Sequence, residues 1–200
     1  MIERVISEDG QEPITLSLAK QILNVTHKLK DEEINGLIST ARALCETCSR
    51  HTILDRTRLI RMPLPVQTTD ELNVLTTVQD PFGISKSMRL PYPPVTKINS
   101  IELVKHNGTT TPFTDYNFDE MLGTVYWDLA DSSVVISDHK YIQVNYSTGW
   151  GDNDVPADIK GAIREVLIAL WDEGGNLDGL PKKAIELLMP YQHQQSYVIG

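Results

Sequence analysis

Apolar positions along this chain change period twice, from helical to alternating and back. Near the front, Leu16, Ala19, Ile22 and Leu23 fall on one face at helical spacing. Pro13 blocks propagation backward and Thr15 is placed to cap, so a short helix is expected that ends near Asn24-Val25. A second helix is expected from about Asp31 to Cys48. Its first turn carries Asp31, Glu32 and Glu33, where the helix dipole favours negative charge. Its stripe of Ile34, Leu37, Ile38, Ala41, Leu44, Cys45 and Cys48 fits a 3.6-residue period.

From Ile53 the period shortens to two. Thr52 to Arg61 alternates, with Leu54, Arg56, Arg58 and Ile60 on one face and Thr57, Leu59 and Arg61 on the other, until Pro63 and Pro65 end the strand. Residues 66–87 read as a long excursion with a weak strand near Leu72–Val78. Further strands are expected at Met88–Leu90, Ile98–Val104, Thr110–Phe113, Tyr116–Phe118, Thr124–Trp127 and Tyr141–Tyr146. Asn107-Gly108 supplies a tight hairpin turn between the second and third of these. Gly123 and Asp131-Ser132-Ser133 read as breaks, and Thr148–Asn153 as a glycine-punctuated turn.

Helical spacing then returns. Pro156 sits in the first turn of a helix reaching about Trp171, whose buried face is Ile159, Ile163, Val166, Leu167 and Leu170. Gly174-Gly175 stops it. A short last helix is expected from Pro181 to Leu188, ended by Pro190. The fold class expected is α+β: a small helical bundle from residues 1–55 and 151–190, with a β-rich insertion over 56–150. Residues 191–200 have no helical period but carry Tyr191, Tyr197, Val198 and Ile199. A frayed end would account for this, and the sharper expectation is an extended arm that orders on a partner.

Two hundred residues, 40% of them hydrophobic, suffice for one cored domain with an insertion. No stretch approaches the roughly twenty apolar residues of a membrane span, and Met1-Ile2-Glu3-Arg4 lacks the apolar run of a signal peptide. Synthesis in a cytoplasm and no membrane partner are expected. The net charge of −9 argues against a broad basic nucleic-acid face. Its distribution says more. Between Lys105 and Lys160 the only Lys or Arg is Lys140, against nine acids that include Asp119, Glu120 and Asp128. Arg50, Arg56, Arg58 and Arg61 crowd one short segment. Two ordinary solvated faces would account for this. The sharper expectation is a basic flank that meets a neighbouring copy's acidic flank, which makes these seven residues the candidates for contacts between subunits.

Candidate chemistry adds little. Cys45 and Cys48 form a C-x-x-C, but near the C-terminal end of a helix, where the dipole opposes a thiolate. A zinc site needs two more ligands, and His51 is the one close candidate. The five histidines show no helical pairing, and Asp119-Glu120 and Asp152-x-Asp154 lack the spacing of a calcium loop. No nucleophile elbow or phosphate loop occurs. No catalytic residue, cofactor or metal is expected, and the chain reads as a part that assembles, not as an enzyme.

Several ordered motifs resemble tailed-bacteriophage head–tail connector (adaptor) proteins. These are Pro13-Ile14-Thr15-Leu16-x-x-Ala19-Lys20 before an acidic-start helix, Ala41-Arg42 through Thr52-Ile53-Leu54, and Leu90-Pro91-x-Pro93-Pro94-Val95 with Ile98-x-x-Ile101. The likeness continues in Val144-x-Tyr146-x-x-Gly149-Trp150-Gly151, Val155-Pro156-x-x-Ile159-Lys160-x-Ala162-Ile163 and Leu187-Leu188-x-Pro190-Tyr191. It covers most of the chain except about residues 62–87, and Ser49-Arg50-His51 departs from the family's Gly-Arg. The resemblance implies a virion protein that forms a ring, commonly of twelve copies, between the portal and a tail or stopper protein. DNA passes through the channel of such a ring without specific binding. In that setting Tyr191, Tyr197, Val198 and Ile199 are portal-docking candidates. The rival expectations are another virion part, such as a stopper or tail-completion protein, or a Cys/His metal-binding protein or enzyme.

Overall fold

The computed structural model describes residues 2–64, 87–127 and 139–192. Residues 66–86 of the excursion, Asp128, the 131–133 break, Tyr197, Val198 and Ile199 lie outside the described residues. The molecule is mixed α/β, with helices in one layer and two antiparallel sheets beside it.

Helices α1 (Leu16–Ile22), α2 (Asp31–Ser49), α4 (Ala157–Asp172) and α5 (Lys182–Leu188) share one core. Thr15 caps α1, its hydroxyl accepting from the Leu18 amide at 3.3 Å. The buried positions on α2, Ile34, Ile38, Ala41 and Cys45, step by three or four residues, as do Ile159, Ile163, Val166 and Leu170 on α4. Gly161 lets α5 approach closely, because a Cβ there would meet Leu187 Cδ1 at 3.3 Å. Arg50 ends α2 in the left-handed conformation (φ 58°), its amide returning to Glu46 O.

The larger sheet runs β1 (Ile2–Asp9), β2 (Asp55–Pro63), β8 (His139–Thr148), β4 (Val95–Lys105), β5 (Thr110–Pro112). The smaller runs β3 (Ser87–Arg89), β7 (Thr124–Trp127), β6 (Tyr116–Asp119). One face of the larger sheet, including Ile60, Val144, Tyr146 and Ile101, joins Val125 and Trp127 of the smaller in a second core. The Asn107-Gly108 hairpin links β4 and β5, with Gly108 at φ 88°.

The structure differs from the sequence reading at three places. Residues 2–9 form an edge strand of the larger sheet, β1, instead of lying among the helices. β2 starts at Asp55, because Thr52 and Ile53 bond elsewhere. A helical turn, α3 (Gly151–Asp154), follows Trp150.

The two layers meet where residues 52–55, 93–94 and 149–151 cross. Thr52 N donates to Pro93 O at 2.9 Å, Gly149 N to Pro94 O at 3.0 Å, Trp150 N to Ile53 O at 3.3 Å and Gly151 N to Asp55 Oδ1 at 2.9 Å. Gly149 is required in this crossing. Its φ is +123°, and a Cβ would lie 2.4 Å from Leu54 O.

Candidate assembly surfaces

The basic segment found in the sequence is built into the junction between helices and sheet. Arg56 Nη2 donates to Glu46 Oε2 at 2.9 Å and its Nε to Glu8. Arg42 bonds Glu46 Oε2 at 3.0 Å and Glu12 Oε2 at 2.9 Å. Arg58, 6% exposed, donates to Glu3 Oε1 at 2.6 Å and to the Thr52 hydroxyl at 3.2 Å, and stacks 4.1 Å from the Tyr92 ring centroid. Burial alone would lower the Arg56 pKa, but the carboxylates of Glu46 and Glu8 raise it above its ordinary value. Arg61 turns to the opposite sheet face, bonding Gln143 Oε1 at 2.8 Å and lying 5.0 Å from the Tyr141 ring. Arg50 stands at the α2 terminus and is exposed. Arg56, Arg58 and Arg61 are therefore engaged within their own chain.

The sequence reading missed the acids of this network, Glu3, Glu8, Glu12 and Glu46, and its third arginine, Arg42. Glu3 and Glu8 are five residues apart and would face opposite sides of a regular strand. The register of β1 on β2 slips between Val5 and Ser7, and this bulge turns both toward Arg58 and Arg56. Period-two alternation fails at the bulge, which hides the strand from pattern reading.

The acidic candidates sit on the β6–β7 turn. Asp119 is half-buried, its Oδ1 accepting from Leu122 N at 3.0 Å, while Glu120 is exposed. Between them and Gly123, Met121 and Leu122 are 97% and 53% exposed.

Tyr191 lies in a 3-10 turn (Met189–Tyr191) and closes an aromatic cluster at the layer junction. His51 stacks on Trp150 at 5.3 Å between centroids, and Tyr191 meets both rings edge-on at 5.8 and 6.2 Å. The same cluster changes the outlook for the C-x-x-C. Cys45 is fully buried in the helical core, and burial, then the Cys48 and Glu46 charges, push its thiol up to about 12. Cys48 Sγ accepts from Gln192 Nε2 at 3.4 Å. Among the described residues no group of three or more His, Cys, Asp or Glu is arranged to hold a metal ion.

No protein-family model matches the chain, and no curated protein matches it. Solved structures do. A chain in the virion of a native gene transfer agent particle superposes with a TM-score of 0.70 at 13% identity, over 96% of this chain and 95% of that one. This chain shares its fold with a component of a gene transfer agent particle. Chains in the neck of the empty particle, computed with C6 symmetry, and of the native particle, computed with C12 symmetry, give TM-scores of 0.68 and 0.65. Their identities are 12% and 13%, again over 96% of this chain and 95% of each of theirs. The likeness to the gene transfer agent components thus spans the helical layer, both sheets and the junction between them.

Proposed function

We propose that this chain is a head–tail connector (adaptor) of a tailed-phage-like particle. Copies form a ring that joins the portal to a tail or stopper protein and lines the channel through which DNA passes. The observation that carries this reading is the end-to-end likeness, over 96% of the chain, to chains in gene transfer agent necks computed with sixfold and twelvefold symmetry. The connector-like motifs lie on the parts that build the layer junction, including Gly149-Trp150-Gly151 and Thr52-Ile53-Leu54.

Helices from both chain ends form the frame of the subunit, and the β-rich stretch between them projects toward neighbours. A net charge of −9 suits a wall that DNA slides past, since few phosphates are neutralised and few counterions released. Asp119 and Glu120 take part in contacts between subunits, and the arm beginning at Tyr191, with Tyr197, Val198 and Ile199, docks on the portal. The reading predicts virion localisation at the head–tail junction and no catalytic function. Electron microscopy of the protein mixed with its portal tests it. Ring density seated on the portal's tail-facing side supports the reading, and a protein that neither rings nor binds the portal overturns it.

A further inference from the structure

The larger sheet ends in an open strand. β1 pairs with β2 and with no other strand among the described residues, and its eight residues make it the longest edge of the two described sheets. β5, at the opposite edge, has three residues, one of them Pro112. On β1, Ile2, Val5 and Ile6 are 71%, 47% and 47% exposed. Charged side chains commonly guard such an edge, but Glu3 and Glu8 turn inward onto Arg58 and Arg56. A long backbone edge beside exposed apolar side chains is a template for one more strand.

The chain itself carries a segment of matching length and chemistry. Gln192 lies at the layer junction, its Nε2 bonded to Cys48 Sγ, and the Tyr191 ring before it is 6.2 Å from that of Trp150. Trp150 lines one recess with Asp9 and Asp55, so the chain passes Gln192 at the Asp9 end of β1. Residues 193–200 include no Asp, Glu, Lys, Arg or Pro, and Tyr197, Val198 and Ile199 are three residues of high strand propensity in a row. Eight extended residues reach about 26 Å, whereas Ile6 and Val5 stand only about 10 and 13 Å along β1 from Asp9. The segment is long enough to cross the recess and lay its apolar triplet beside them. It would then run from the Asp9 end toward Ile2, opposite to β1, and every pairing in this sheet is antiparallel.

We propose that residues 193–200 add to the open edge of β1 in their own chain as an antiparallel strand, and that the docking arm is held there until it meets the portal. The arm's destination rests on the connector reading; its resting place does not. Pairing on β1 covers an edge that would otherwise recruit another chain. Because β1 buries few side chains, the added strand protects β1 locally and contributes little to the stability of the two cores.

Deuterium uptake by the β1 peptide, read by mass spectrometry, tests this. In the full-length protein the β1 amides that point away from β2 should exchange at least tenfold more slowly than in a chain ending at Gln192, and equal rates overturn the proposal. Val198→Pro removes a backbone donor from the arm and should speed exchange as the truncation does; a variant that keeps full protection counts against strand pairing. Mixing the chain ending at Gln192, labelled with nitrogen-15, with excess unlabelled full-length protein separates own-chain from neighbour pairing. The labelled β1 should stay fast, and protection that returns in the mixture would assign the edge to another copy's arm and overturn the own-chain contact. Adding the portal should bring β1 of the full-length protein to the truncated rate. Capture by the portal with β1 still protected would overturn the held docking arm and leave the connector reading standing. Protection that the truncation removes, without capture by the portal, would support the strand on β1 and sink the connector reading.

Discussion

Glu46 Oε1 on α2 accepts a hydrogen bond from the Ile53 amide at 2.8 Å, which fixes the chain's entry into β2 from the helical layer. The other oxygen of the same carboxylate receives Arg42 and Arg56 at 3.0 and 2.9 Å. One side chain, 10% exposed, thus satisfies a backbone donor and bridges two guanidinium groups that are 8% and 13% exposed, with Glu12 and Glu8 supplying further negative charge. Removing it leaves a buried amide unpaired and two cations short of a counter-charge.

Glu46→Ala should therefore lower unfolding free energy by about 3 kcal/mol, within the range for breaking a buried ion pair from one side. A urea titration of the variant against the wild-type protein reads this from the shift in midpoint. A change within about 0.5 kcal/mol would mean that the arginines find other acids, and the junction is then not held through Glu46.

Gly149→Ala tests the crossing of the three segments. The added methyl would sit 2.4 Å from Leu54 O at a backbone φ of +123°, so backbone on one side or the other must move. A loss of more than about 3 kcal/mol or insoluble protein is expected. Gly108→Ala is the control: φ there is +88°, but nothing lies within 4 Å of the added methyl. That variant should lose only the conformational cost, about 1–2 kcal/mol, and stay folded.

Much of this architecture is legible in the sequence, and the parts that are not share a physical cause. The stripes at Ile34–Cys45 and Ile159–Leu170 announce their helices because each packs along one face with a constant period. Asn107-Gly108 announces its hairpin because Gly108, at φ 88°, takes the left-handed conformation that follows the turn closed by its amide on Lys105 O. β1 was hidden by its bulge and by having almost every residue exposed, so no buried face imprints an alternation. The Arg56–Arg58 cluster was visible as charge, but its partners lie about fifty residues earlier, at Glu8 and Glu3. A local charge count cannot show that pairing. Reversing Arg58 would place a carboxylate against Glu3 in a buried site, so its effect on assembly would be mixed with unfolding.

The thiols make a prediction that depends on pH. Cys45 is fully buried with its pKa pushed up to about 12 from an ordinary value of 9.0, so the folded state holds the proton that the unfolded state gives up. Stability from this group is complete below pH 9 and falls by about 1.4 kcal/mol per pH unit as pH rises toward 12. Tyr146, also raised by burial, acts in the same direction at higher pH. Urea midpoints between pH 8 and 11 should decline less steeply in Cys45→Ala than in the wild type, whatever the offset caused by the lost side chain. Iodoacetamide at pH 8 should label one thiol per folded chain, Cys48, and two in denaturant. Equal labelling of both thiols in the folded protein would contradict the buried placement of Cys45.

The aromatic cluster separates the role of the arm from the stability of the body. Tyr191 packs edge-on against Trp150 and His51, so it anchors the start of the proposed docking arm to the junction. Ending the chain after Gln192 keeps the cluster, and the melting temperature should stay within about 2 °C of the full-length value. Ending it after Pro190 removes the Tyr191 ring and should cost about 1–2 kcal/mol more, from one edge-on aromatic contact and its buried area. Both truncations should lose portal binding in a pull-down while the first remains fully folded by circular dichroism. If the chain ending at Gln192 still captures the portal like the full-length protein, docking belongs to the body of the subunit and the arm does something else.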